Sequence, residues 1–117
     1  MSLKVQQTIH WPAFIQFAGQ AELVFVADEA VWKSDPHLHA YAYQAADRLV
    51  DSRGELYAFG RDGPIALPKP TGQKLMLDEL LHLVRAHAAQ AGLCCITKLS
   101  APSIAEAVRL VGTLHED

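Results

Sequence analysis

A chain of 117 residues, half of them apolar, carries enough hydrophobic side chain to close one core without disulfides or a metal as staples. Ten Lys and Arg against thirteen Asp and Glu leave a formal charge of -3. With those charges interleaved along the chain, no concentrated basic face for nucleic acid exists, and no apolar run approaches the roughly 20 residues that cross a bilayer.

One domain over 1–117 is therefore expected, with residues 1–10 frayed because they show little hydrophobic pattern. The polar start lacks the apolar stretch of a signal peptide. Cys94 and Cys95 are adjacent, so on a strand their side chains point to opposite faces, and a disulfide between neighbours would strain the backbone. From both features a reducing, cytoplasmic location is expected.

Order begins near Trp11-Pro12. Residues 13–17 and 22–27 are rich in aromatic and β-branched side chains and flank a short connection containing Gly19, the pattern of a hairpin. Asp28 is a good N-cap and Glu29 an acidic first position, predicting one or two helical turns up to Asp35-Pro36. Between His37 and Ala46, alternation of His37, His39, Tyr41 and Tyr43 competes with a helical spacing, and the tyrosines tip the reading towards an extended or irregular segment.

A second hairpin is predicted from residues 47–51 and 55–59, joined by Ser52-Arg53-Gly54. Ile65-Ala66-Leu67, bracketed by Pro64 and Pro68, suits an edge strand. Residues 69–74, with two lysines and no apolar residue other than Pro70, read as a loop. Leu77, Leu80, Leu81, Val84 and Ala88 then share one face of a helix over 77–91 that stops at Gly92, and an apolar strand is predicted over 93–99. Ser103 with Glu106 spells a capping box for a last helix whose Ile104, Ala107, Val108 and Val111 face the core. The fold class is α+β: an antiparallel or mixed sheet built from hairpins, with a C-terminal helix-strand-helix unit packing two helices on one face.

Chemistry is sparse. His37 and His39 on a strand would present two imidazoles to one side as weak metal-ligand candidates, yet no matched set of four ligands follows. His82 and His87 are five apart, the wrong spacing for one helical face, and are expected at solvent or rim positions. Asp47, Asp51 and Asp62 would make a carboxylate cluster, but aspartates beside Gly-containing turns ordinarily cap backbone amides. No Gly-x-Ser-x-Gly elbow, phosphate loop or dinucleotide motif is present, so no cofactor is expected and catalysis is disfavoured. Trp32, Tyr41, Tyr43 and Tyr57 are the best binding candidates, either covering the second sheet face or lining a partner surface.

Trp11-Pro12, the run from Asp47 through Asp51 and Gly54 to Tyr57, His87, then Gly92-x-Cys94-Cys95-x-x-Lys98-Leu99 and Ser103-Ile104-x-Glu106-Ala107 resemble the bacterial domain-of-unknown-function family 4144. The resemblance runs from about Trp11 to Leu114. It implies a single-domain bacterial protein with no assigned activity. No catalytic or binding residue carries over, though His87, Cys94 and Cys95 gain interest. The function expected is a small non-enzymatic cytosolic interaction module that meets an unknown protein partner, or a second copy of itself, through an exposed sheet face. The alternative is a small-ligand, thiol or metal-binding protein centred on Cys94, Cys95 and nearby histidines.

Overall fold

The structure, a computed structural model, describes residues 8–92 and 99–114. Two hairpins dominate its first two-thirds. β1 (Ala13–Gln16) pairs antiparallel with β2 (Leu23–Val26), and β3 (Arg48–Val50) pairs antiparallel with β4 (Glu55–Asp62). β1 also pairs antiparallel with β3, and β5 (Ile65–Lys74) closes a sheet ordered β2-β1-β3-β4-β5. The antiparallel sheet predicted from the hairpin signals is thus formed.

Between the β-strands lie α1 (Glu29–Ser34) and α2 (Pro36–Ala40), and the C-terminal part supplies α3 (Leu77–Gln90) and α4 (Ile104–Leu114). Asp28 caps α1 by accepting from Val31 N at 2.9 Å. Residues 37–40, expected to be extended, are helical. Asp35 caps them by accepting from His37 N and Leu38 N, and Pro36 occupies the first turn, where its missing N–H costs nothing. Glu79 reaches back to Met76 N at 2.8 Å at the start of α3, and Ser103 Oγ accepts from Glu106 N at the start of α4.

Pleating sorts the strands into two apolar faces. Phe14, Leu23, Val50 and Leu56 point to one side, where Leu80, Leu81 and Val84 of α3 and Ala107, Val108 and Val111 of α4 close a core over them. Gly112 lets α4 come close to β2, since a Cβ there would lie 2.7 Å from the Phe25 ring. Ala13, Ile15, Leu49 and Tyr57 point to the other side, and Trp32 of α1 is buried among them with Leu38 of α2 packed alongside. The second face is therefore roofed by α1 and α2. This corrects the expectation of an exposed sheet face: of the two roles left open for the aromatic candidates, Trp32 and Tyr43 take that of covering the second face.

Residues 69–74, read as a loop, belong to β5, and the reason is its edge position. Ala66 N–H turns away from β4 and donates to His39 Nδ1 at 3.1 Å. Pro68 and Pro70 occupy the following positions of the same outward register and have no N–H to offer. An edge so arranged tolerates prolines that a central strand would reject, and it offers an incoming strand no free donor between Ala66 and Pro70. Gly54, at φ +81°, makes the sharp β3-β4 turn, and a Cβ on it would meet Leu75 O at 2.8 Å. Of the expected helix-strand-helix unit, both helices pack on one face. The expected strand over 93–99 falls on residues 93–98, outside the described residues.

Candidate functional site

Two buried carboxylates hold the loops at either end of the sheet. Asp51 is fully buried and accepts from His10 N, Arg53 N, Glu55 N and the Tyr57 hydroxyl, with His10 Nδ1 3.7 Å away. Asp47, also buried, accepts from Ala18 N and Gln44 N, each at 2.7 Å. Backbone amides thus take up these carboxylates, in line with the capping reading and against a cluster free for acid-base work.

The histidines sit differently from the sequence reading. On α2, His37 and His39 are two residues apart on a helix and so diverge, His37 towards solvent. His39 is held at both ring nitrogens: Nδ1 accepts from Ala66 N, so Nε2 carries the proton and donates to Trp32 O at 2.9 Å. The expected two-imidazole face does not form. His87, expected at the rim, is buried, because it lies three residues after Val84 and seven after Leu80 on the core-facing stripe. Its Nδ1 accepts from Leu23 N at 3.0 Å, tying α3 to β2. Among the described residues no group of three or more His, Cys, Asp or Glu is placed to hold a metal ion. Cys94 and Cys95 lie outside the described residues.

On the roofed face the rings meet in a continuous array. Tyr41 meets Phe17 edge-on at 4.8 Å and Tyr43 at 4.9 Å, Tyr43 stacks on Phe59 at 4.0 Å, and Trp32 stands 5.9 Å from Phe59 and 4.7 Å from His39. The Tyr43 hydroxyl donates to Leu38 O at 2.7 Å, which fixes α2 to the array. Three of the four aromatic candidates are thus brought together, while Tyr57 sits apart with its hydroxyl on Asp51. Trp32 is 5% exposed and Tyr41 38%, so Tyr41 is the end that meets solvent. Beside it lies a cleft of about 320 Å³ walled by Phe17, Val24, Leu38 and Tyr41, with Gln20, Glu22 and His37 at its rim. Phe17 and Phe59 were not singled out from the sequence. Strand alternation carries the signal for both, since each lies two residues from a buried side chain of the same face, Ile15 and Tyr57.

Burial, helped by the negative charge of Asp47, pushes the Tyr43 phenol from 10.0 up to about 12. Burial, with the charge and hydrogen bond of Asp51, raises Tyr57 above the ordinary phenol range. Both folded-state values exceed the unfolded one, so their contribution to stability is complete below pH 10.0. It falls as pH rises through that value, because the unfolded chain then releases protons the folded chain retains. Urea midpoints measured through this alkaline window are expected to drop steadily, and a flat profile would show that neither phenol is held neutral.

A hairpin-built antiparallel sheet, roofed by short helices on one face and by two longer helices on the other, defines a small α+β protein. The chain belongs to domain-of-unknown-function family 4144 (DUF4144), described as a protein structure with unknown function, whose family pattern matches residues 11–111. Among solved structures it is similar to the NMR structure of the protein from Shewanella amazonensis, with a TM-score of 0.66 and 25% identity over 97% of this chain and 98% of that one. No curated protein matches. Among the described residues no helix is long and apolar enough to cross a membrane.

Proposed function

We propose that this protein is a non-enzymatic interaction module of the cytosol whose contact surface is the Tyr41 end of the aromatic array rather than a bare sheet face. The observation that carries the reading is an array of rings, anchored in the core at Trp32, that ends in a solvent-facing tyrosine beside an apolar cleft. Aromatic side chains fixed in this way lose little entropy on binding and are the usual anchors of protein interfaces. The cleft is at the small end of the roughly 300–1,000 Å³ typical of ligand pockets, room for one large side chain rather than a cofactor. Glu22 at the rim favours a basic neighbour to that side chain. The occupant is therefore a partner segment presenting a leucine- or phenylalanine-sized residue next to Lys or Arg.

The test is a nitrogen-15 NMR titration with acetyl-Leu-Lys-amide and, as control, acetyl-Leu-Glu-amide. Saturable shifts at Phe17, Gln20, Val24 and Tyr41, strongest for the lysine peptide, are expected, with affinity on the order of 1 mM. Tyr41→Ala should abolish them while leaving the spectrum folded. Unsaturable shifts, shifts indifferent to Tyr41→Ala, or equal response to both peptides would overturn the reading. So would a dimer, seen by light scattering, that Tyr41→Ala dissolves, since the occupant would then be a second copy.

A further inference from the structure

On the opposite, helix-covered face, α3 and α4 leave one end of the sheet bare. There a cleft of about 480 Å³ opens between the loops that follow β1 and precede β3. Gln16, Arg48 and Ala58 stand side by side in register across β1, β3 and β4 and form its floor. Arg48 is half-buried, and its Nε donates to Gln16 Oε1 at 2.6 Å, which fixes the plane of the guanidinium. No carboxylate among the described residues lies within 4.0 Å of it. Its sequence neighbour Asp47 lines the same cleft but has both oxygens on backbone amides, and Asp78 and Glu79 share with Arg48 the adjoining cleft.

Besides Asp47, whose two oxygens are already taken up by the Ala18 and Gln44 amides, alanines 18, 45, 46 and 58 line the cleft with apolar surface and Gln73 with an amide. A single positioned guanidinium, beside a carboxylate whose hydrogen bonds are already made, matches at most one further negative charge. Its paired terminal nitrogens fit the two oxygens of a carboxylate in the bidentate manner a lysine lacks. A doubly charged phosphate would call for a second cation; Lys69, paired with Ala58 on the neighbouring strand, instead lies over Gly60, with Nζ 3.0 Å from where a glycine Cβ would stand. We infer that this cleft is a carboxylate-binding site, with Arg48 as the anchoring residue, Gln16 as the residue that positions it, and the alanine wall receiving a short apolar group attached to the acid.

Such a carboxylate comes either from a small organic acid or from the free end of a peptide. Nitrogen-15 titrations of the whole chain with sodium benzoate, with acetyl-Ala-Ala bearing a free carboxylate, with the same peptide as its amide, and with inorganic phosphate separate the cases. Saturable shifts at Ala18, Gly19, Ala58 and the Arg48 side-chain Nε–H are expected with at least one of the two carboxylates, and whichever binds tighter names the source. Arg48→Lys, which keeps the charge but loses the fork, is expected to weaken binding about tenfold. Gln16→Ala should weaken it less, and it serves as the second variant if the lysine substitution disturbs folding. The inference is overturned if neither carboxylate gives saturable shifts, if the amide or phosphate binds as well, or if both variants bind unchanged. Tyr41→Ala should leave this binding intact, so failure here and failure at the aromatic surface are distinguishable.

Discussion

Asp51→Ala is expected to destabilise the protein by about 4 kcal/mol, because it strands several donors at once in a site closed to water. Oδ1 accepts from Arg53 N and Glu55 N, and Oδ2 from His10 N and the Tyr57 hydroxyl. Asp51→Asn separates these contributions. An amide can keep its oxygen on the Arg53 and Glu55 side, preserving the turn, while its NH2 group must face the His10 N–H. It is expected to cost roughly half as much, about 2 kcal/mol. The loss should appear as lower denaturant midpoints and as faster amide exchange at His10 and Ser52. The Ser52 amide and hydroxyl, donating to His10 O and Pro12 O, make further ties between the incoming chain and the β3-β4 turn. A loss under about 1 kcal/mol for the alanine variant would show that this carboxylate is not what holds the two segments together.

Asp51 also shows what the sequence made legible. An aspartate before Ser-Arg-Gly reads at once as a turn cap, and the cap is found; that it also clamps a segment forty-one residues earlier is a long-range fact that spacing does not carry. The same division recurs at Asp35-Pro36, which reads as the end of one helix and which the structure also uses as the cap of the next. His87 reads as a rim position on its five-residue spacing from His82, whereas its spacing from Leu80 and Val84 puts it on the core stripe; a histidine there needs a buried N–H to satisfy, and that donor, Leu23 N, comes from a strand 64 residues away. The β5 segment was lost for a related reason. Proline, glycine and lysine argue against a central strand, and only knowledge that this strand is an edge makes them acceptable. At the candidate sites, Tyr41 and Tyr43 were visible as aromatic residues, whereas the Arg48–Gln16 pairing depends on the register between β1 and β3, which composition does not reveal.

Trp32→Ala is the complementary experiment, since Trp32 and Tyr41 stand at opposite ends of the ring array and are expected to respond in opposite ways. Trp32 is buried beneath α1, with its ring against His39 and Phe59, and removing it leaves a cavity the short helices are poorly able to close. A cost of about 4 kcal/mol is expected, typical of a buried tryptophan cut to alanine. Trp32→Phe, which keeps an aromatic ring, should recover a substantial part of it. Tyr41→Ala removes a side chain already over a third exposed, and its effect on the denaturant midpoint should correspond to under about 1 kcal/mol. If Trp32→Ala proved nearly neutral, the roof over the second face would not be part of the core, and the interaction surface would have to be redrawn to include the sheet beneath it. A Tyr41→Ala loss as large as that of Trp32→Ala would instead make the whole array structural and leave the cleft beside it without an anchor for a partner.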